Sequence, residues 1–296
     1  MAEAANAMPG VPEVRAVLRA VEVLRAFSAT KPNWSLAEIT HATGLNKATV
    51  RRLLHTLEIA GLVAHDDDAQ SYALTLDLAE LASRVHRGRD LVTMARPFLS
   101  QFAEMCGGVA FLWTFDKLSG VCLDRVVAAT SVFPPFISPG DRSALNCGGA
   151  PRVTLAYIDA DQRAAALALP QPQRTARSIV APDKLERRAR LIRKRGYEFV
   201  ADDFITGLAA IGVPILAPDG RFVAAFSITN LSDRFALRAD GAPEWLAPMQ
   251  DAARRLGARL GRGRSADVAG GSPLPSRPTP DSLTPPNGAT SVEIRP

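Results

Sequence analysis

Residues 34–62 read WSLAEITHATGLNKATVRRLLHTLEIAGL, and the pattern within them decides the N-terminal fold. Ser35, followed three positions later by Glu38, is a capping box: the hydroxyl accepts from the Glu38 N–H while the carboxylate returns to the Ser35 N–H. Leu36, Ile39 and Ala42 or Thr43 then recur at helical spacing, and Gly44 stands where a left-handed residue ends a helix without steric cost. Asn46 suits the cap of a second helix, in which Val50, Leu53, Leu54 and Leu57 fall at i, i+3, i+4 and i+7 and line one buried face. Lys47, Thr49, Arg51, Arg52, His55 and Thr56 are left outside, and these residue types bind phosphates and base edges. Two short amphipathic helices meeting at a glycine corner are the layout of a helix-turn-helix that reads DNA. The DNA-facing set is then Ser35, Asn46, Lys47, Thr49, Arg51, Arg52 and His55. Two blander readings compete: a cationic face serving only solubility, and helix-turn-helix geometry in a protein that never touches DNA.

Downstream, Gly61 and Leu62 end the helix, and HDDDAQSYALT reads as two short strands joined by a polar turn at 67–69, which is a wing. Upstream, Val14, Val17, Leu18, Val21, Leu24 and Phe27 form an apolar stripe, predicting a helix that packs this stripe into a three-helix core. The winged domain spans 12–76. Asp66, Asp67 and Asp68 argue against a wing tip that clamps phosphate, so the wing is expected beside the groove. Charges nearly balance across this domain, so attraction to DNA must come from segregation of Lys47, Arg51 and Arg52 onto one helix.

The whole chain has 296 residues, 47% of them hydrophobic, and a net charge of +5, enough for two domains of ordinary size. Much of the excess charge sits in Lys184, Arg187, Arg188, Arg190, Arg193, Lys194 and Arg195. With Leu185, Ala189 and Ile192 forming a packing face, that run reads as a solvated helix; the alternative is a second surface for an acidic partner. The N-terminus lacks the basic start and apolar core of a signal peptide, and no apolar run is long enough to span a bilayer, so a cytoplasmic protein with no membrane partner is expected. Cys106, Cys122 and Cys147 show no C-x-x-C spacing, which predicts neither a disulfide framework nor a metal site. No cofactor is expected.

An enzyme would centre on ALNCGGAPR, with Cys147 as nucleophile. All four histidines, His41, His55, His65 and His86, lie in the first ninety residues, so no imidazole is available downstream to activate that thiol. Asp202 and Asp203 are adjacent in a segment that reads as extended, where neighbours face opposite ways. The chain is therefore not expected to be an enzyme.

Between the halves, 76–85 predicts a helix broken near Gly88 and 91–105 predicts another, kinked or restarted at Pro97; residues 77–90 make the linker. From Val109 the texture changes to strands, with VAFLWTF, GVCLDRVV and SVFPPFI, then helices from ALNCGGAPRVTLAYI, DQRAAALAL and PDKLERRARLIRKRG, then strands in YEFVADD, LAAIGVPILA and RFVAAFSITN. APDG joins the last two as a hairpin. This α+β domain spans 91–262, and 263–296 is too rich in proline and too poor in large apolar residues to form a core, which predicts a disordered tail. In the last strand Val223, Ala225, Ser227 and Thr229 share a face opposite Phe222, Ala224, Phe226 and Ile228. Ser227 and Thr229 either floor a ligand pocket or face solvent.

These residues resemble the IclR-type bacterial transcriptional regulators. The resemblance runs from about Val14 to Leu260 and rests on RAVEVLRAF, SLAEIT, GLNKATVRRLLHTLEIAGLV, PGDRSALNCGGAP, LIRKRGYEFVADDFITGLAAIGVPI and GRFVAAFSIT. It implies a winged helix-turn-helix joined by a helix to a GAF-like antiparallel-sheet effector domain, a homodimer or tetramer, an operator of double-stranded DNA, and a small carboxylate or aromatic effector. Carried over by position, the effector pocket uses Leu145, Gly149, Ala150, Ala210, Ser227 and Thr229, with Asp202 from the acidic run. N–H groups at the helix start beside Gly149 and Ala150 suit a carboxylate. Two departures stand out: Pro151 and Arg152 replace the glycine-lysine of many relatives, and Val200 and Ala201 precede a shifted Asp202 and Asp203. Phe111, Trp113, Phe133 and Phe136 fit an aromatic ligand or core packing. The expected mechanism is a ligand that favours one arrangement of paired DNA-binding domains, transmitted through the helix over 76–85. A ligand-sensing scaffold without DNA binding and a Cys147-dependent enzyme are the alternatives.

Overall fold

A computed structural model describes residues 12–28, 31–83, 86–134 and 136–260. The elements below all lie within Arg15–Asp267. The tail expected over 263–296, and residues 84 and 85 of the linker, lie outside the described residues.

The N-terminal elements are α1 (Arg15–Leu24), β1 (Asn33–Trp34), α2 (Leu36–Thr43), α3 (Lys47–Ile59), β2 (Val63–Asp66) and β3 (Ser71–Leu74). Val23, Ile39, Val50, Leu54, Leu57 and Val63 form their buried core. The wing is a three-stranded sheet rather than a hairpin, because Asn33 and Trp34 pair antiparallel with Ala73 and Tyr72. A two-residue strand carries no periodicity, so the pattern could not announce it.

The predicted α1 stripe requires correction. Val14, Val17, Leu18 and Val21 are 64%, 58%, 49% and 36% exposed. Leu24 and Phe27 of that stripe do pack, half-buried with Ala20 around the buried Val23, which meets α2 and α3. Both sets have i, i+3, i+4, i+7 spacing. At 3.6 residues per turn they lie roughly a third of a turn apart, so periodicity alone cannot choose between them.

α4 (Leu76–Ser83) covers the described part of the helix expected over 76–85, and α5 (His86–Cys106) starts earlier than expected, running through Gly88. Pro97 lies inside α5, which is assigned as one element with no restart, and its ring removes one i→i−4 hydrogen bond.

The remaining strands are β4 (Val109–Asp116), β5 (Ser119–Val127), β6 (Arg142–Ser143), β7 (Glu198–Ala201), β8 (Leu208–Leu216) and β9 (Phe222–Leu231). They form one antiparallel sheet in the order β6-β5-β4-β9-β8-β7. SVFPPFI contributes no strand among its described residues; proline cannot donate to a ladder, and the next pairing segment is only Arg142–Ser143. APDG makes the expected hairpin turn, with Gly220 at φ +81°.

α5 and α9 (Leu246–Leu260) cover one face of the sheet, burying Leu99, Phe102 and Met249 against Leu112, Ile211, Phe226 and Ile228. α6 (Gly149–Tyr157) and α8 (Pro182–Arg195) cover the other, over Phe111, Trp113 and Ala225. α7 (Ala160–Ala168) lies between them in the chain. The α8 cations are not all solvated: Arg188 and Arg195 both ion-pair with Glu198, which is fully buried, and Arg193 donates to the Ala156 carbonyl. Among the described residues no helix is long and apolar enough to cross a membrane.

Candidate DNA-reading helix and effector cavity

The two caps form as the sequence predicts. The Ser35 N–H donates to Glu38 Oε2 at 2.8 Å, and the Ser35 hydroxyl accepts from the Glu38 N–H at 3.3 Å. Lys31 Nζ lies 2.7 Å from Glu38 Oε1. The Lys31 ammonium, then the Ser35 N–H and hydroxyl, hold the Glu38 carboxyl down at about 2. Gly44 takes the left-handed conformation at φ +65°, and Asn46 Oδ1 accepts from the Thr49 N–H at 2.8 Å. Ser35 and Asn46 are thus engaged in shaping the corner.

On α3, Lys47, Arg51, Arg52 and His55 are exposed and Thr49 is half-buried. No described acid lies within ion-pair distance of Lys47, Arg51 or Arg52, so these cations are uncompensated. The wing turn is closed by Asp66, whose carboxylate accepts from the N–H groups of Asp68 and Ala69. Asp67 is 93% exposed and sits 3.0 Å from His65 Nδ1. α3 therefore presents a cationic surface, and the wing tip is acidic.

In the C-terminal half, β9, β8 and β7 align Thr229, Ala210 and Val200 in one cross-strand row, and β4 and β9 align Phe111 with Ser227. The N-terminus of α6 presses onto this sheet face. A Cβ on Gly149 would lie 2.8 Å from the Ile211 carbonyl carbon, and one on Gly212 would lie 2.4 Å from the Gly149 carbonyl, so this approach requires glycine on both sides. Beside it opens a small pocket that is partly open to solvent. Phe111, Trp113, Phe136 and Phe204 supply rings; Ser227, Thr229, Asp203, Cys147 and Gly149 supply polar groups.

Ser227 and Thr229 do not face solvent: they are 3% and 7% exposed and line the cavity. The Ser227 hydroxyl donates to the Ile211 carbonyl at 2.8 Å. The structure brings Gly149, Ala210, Ser227 and Thr229 together around this space. Leu145 and Ala150 are buried outside its lining, Leu145 against Leu155 and Leu185, Ala150 against the sheet core.

Asp202 is the other departure. Alternation from Val200 would carry Asp202 onto the cavity face, but its backbone is left-handed at φ +60° and the strand ends there. Its carboxylate accepts from the Gly207 N–H at 2.6 Å and closes the turn. Asp203 lines the cavity in its place. It is 4% exposed, accepts from the Gly148 N–H at 2.9 Å and pairs with buried Arg152 at 3.1 Å. Burial pushes its carboxyl up from the ordinary range, against the pull of Arg152 and the Gly148 N–H. Arg152 Nε also donates to the Asn146 carbonyl at 2.7 Å. Nothing in the local pattern marked Asp203 over Asp202; the turn that selects it depends on the conformation of one residue.

Cys147 borders the cavity, but burial pushes its thiol up, away from the thiolate a nucleophile needs.

A winged helix-turn-helix with an uncompensated cationic helix, followed by an antiparallel-sheet domain that holds a lined cavity, defines a ligand-responsive DNA-binding regulator. The family described as the bacterial transcriptional regulator IclR C-terminal domain matches residues 83–258, and the IclR helix-turn-helix domain matches 16–67. The chain belongs to the IclR family of transcriptional regulators. It is 26% identical over 249 residues to the regulator KdgR of Escherichia coli, covering 84% of this chain and 93% of that one. Among solved structures it resembles a transcriptional regulator from a Rhodococcus species, with 26% identity, a TM-score of 0.69, and 83% of this chain and 97% of that chain covered. It shares the fold of an IclR homologue from Microbacterium hydrocarbonoxydans complexed with 4-hydroxybenzoate, with 19% identity, a TM-score of 0.72, and 84% and 99% covered.

Proposed function

We propose that this regulator binds a double-stranded operator as a homodimer, or as a tetramer of paired dimers, and that a small aromatic effector in the C-terminal cavity switches its affinity. Lys47, Thr49, Arg51, Arg52 and His55 contact DNA, while Ser35 and Asn46 set the angle between the two helices. Gly149, Ala210, Ser227 and Thr229 belong to the effector site, with Asp203 taking the place expected for Asp202. The protein acts in the cytoplasm without catalysis.

One observation carries the choice of an aromatic effector over a small aliphatic acid. Phe111, Phe136 and Phe204 form a continuous set of rings along the cavity, with centroids 6.2 and 5.6 Å apart, and Trp113 lies beside Phe111. A planar ligand gains both burial and edge-to-face or offset stacking against such a set. The 4-hydroxybenzoate carried by the Microbacterium homologue is of the same chemical type. Dimerisation is supported by the exposed stripe of Val17, Leu18 and Val21 on α1, a run of apolar surface on a helix otherwise packed into the domain.

The test is a salt titration of binding to DNA from the promoters flanking the gene. Each lost phosphate contact lowers the slope of log affinity against log salt by about 1. Arg51→Ala with Arg52→Ala should weaken binding and flatten that slope. An unchanged slope and affinity would favour a ligand-sensing scaffold that does not bind DNA.

A further inference from the structure

The polar atoms of the cavity are unevenly divided between donors and acceptors, and that division bears on the chemistry of the effector. Asp203 Oδ2 is already engaged by the Gly148 N–H and Arg152, while Oδ1 makes no hydrogen bond to another described residue. The Ser227 hydroxyl spends its proton on the Ile211 carbonyl and offers only an acceptor. Thr229 is more than nine-tenths buried, lines the cavity, and makes no hydrogen bond to any described residue. Its hydroxyl is therefore open to the cavity and free to donate to or accept from whatever enters.

The start of α6 is where an anionic effector would be expected to dock, since its first N–H groups have no intrahelical partner and the helix dipole favours negative charge there. In this chain that position carries an anion of its own. The Asp203 carboxylate caps Gly148, the residue immediately before α6, and pairs with the buried guanidinium of Arg152. A second carboxylate would have to share Arg152 with Asp203 at close range in a poorly solvated space. The Cβ side of Gly149 is also filled by β8 backbone, which leaves no room for a ligand atom there.

Resting on the reading that this cavity holds an aromatic effector, we infer that the effector presents a neutral or cationic hydrogen-bond donor, a phenolic hydroxyl or an amine, to Asp203 Oδ1, and that a carboxylate at that end is rejected. The ring lies among Phe111, Phe136 and Phe204, and Thr229 satisfies a second polar atom of the ligand. Asp203 is then the specificity-determining residue of the pocket.

The experiment compares phenol, benzoate and toluene as ligands of the full-length protein at neutral pH, by ligand-observed NMR titration. Site assignment comes from Ala210→Leu, which fills the floor of the cavity. The inference expects phenol to bind roughly ten- to hundredfold more tightly than benzoate, the range of one charge-assisted hydrogen bond gained or lost, with toluene also weaker than phenol. Asp203→Asn, whose amide donates as well as accepts, should shrink or reverse the phenol-over-benzoate preference. The wild-type comparison decides the matter even if that variant does not fold. Benzoate binding as tightly as phenol, and lost in Ala210→Leu, would overturn the donor rule while leaving an aromatic effector site standing. If none of the three compounds binds in a manner sensitive to Ala210→Leu, the effector reading of this cavity falls, and the donor rule with it.

Discussion

Replacing Arg152 with methionine should destabilise the C-terminal domain more than almost any other single exchange of similar volume. The guanidinium and the Asp203 carboxylate are 5% and 6% exposed, so water does little to screen or replace their attraction. Removing one partner of a buried ion pair costs about 3–5 kcal/mol, because the other charge stays behind without compensation. The Asn146 carbonyl also loses its donor, a cost that overlaps with the first and is not simply additive. Against a typical stability of about 5–15 kcal/mol this is a large fraction. With a urea m-value of about 2 kcal/mol/M the unfolding midpoint should fall by roughly 1.5–2.5 M. Far-UV circular dichroism in urea reads this directly. Replacing both partners, as Arg152→Met with Asp203→Leu, should recover most of the loss, since an apolar pair leaves no buried charge unpaired.

The pH dependence has a definite sign. Burial already holds the Asp203 carboxyl above its ordinary 3.8, and losing Arg152 raises it further. A carboxyl whose folded value is raised favours the fold when protonated, and that contribution is lost as pH rises through the folded value. The deficit of Arg152→Met relative to the parent should therefore be full at neutral pH and shrink on acidification towards 3.8. A loss below about 1 kcal/mol at pH 7, or a double variant as unstable as the single one, would show that the pair is not the buried, tightly coupled unit described here, and the argument about charge in the cavity would go with it.

Three further outcomes follow from the geometry. Gly212→Ala places a Cβ 2.4 Å from the Gly149 backbone, so it should cost at least the 1–3 kcal/mol of ordinary overpacking, measured as a lower thermal midpoint. Glu38 is held down at about 2, so its cap contributes fully above the ordinary 4.5 and is lost as pH falls through the window from 4.5 to 2; in Glu38→Gln this acid-dependent loss in the N-terminal domain should disappear, as followed by circular dichroism. Leu18→Asp alters an exposed position of α1 without touching the Val23 core, and should lower the mass measured by light scattering while leaving the helical content unchanged.

Much of this was legible in the residue pattern, and the failures share a cause. Caps at Ser35, Gly44 and Asn46 are local devices, set by residues within three positions of each other, and each forms as read. The two faces of β9 are equally local, because a strand alternates whatever surrounds it, and Ser227 and Thr229 fall on the same side. Whether that side is wet depends on α6 arriving from eighty residues away in the chain, which no strand pattern reports. The same holds for α1, where two apolar stripes of equal periodicity compete and only tertiary packing selects Val23 over Val17 and Leu18. Asp203 displaces Asp202 for a reason more local still but conformational: one left-handed residue ends the strand and reassigns which carboxylate faces inward. Arg152 has a similar history. As a sequence feature it was a departure from its relatives; in the fold it is the counter-charge of the cavity's own acid.

The central claim is that occupancy of the cavity changes operator affinity. The direct measurement is the dissociation constant for promoter DNA with and without a saturating aromatic ligand that has been shown to bind, in the parent and in Ala210→Leu. Coupling between sites in regulators of this kind typically amounts to about 5–150-fold. The account predicts a shift within that range in the parent and none in Ala210→Leu, with the unliganded affinities of the two proteins equal. An operator affinity unmoved by a ligand that demonstrably fills the cavity would contradict it.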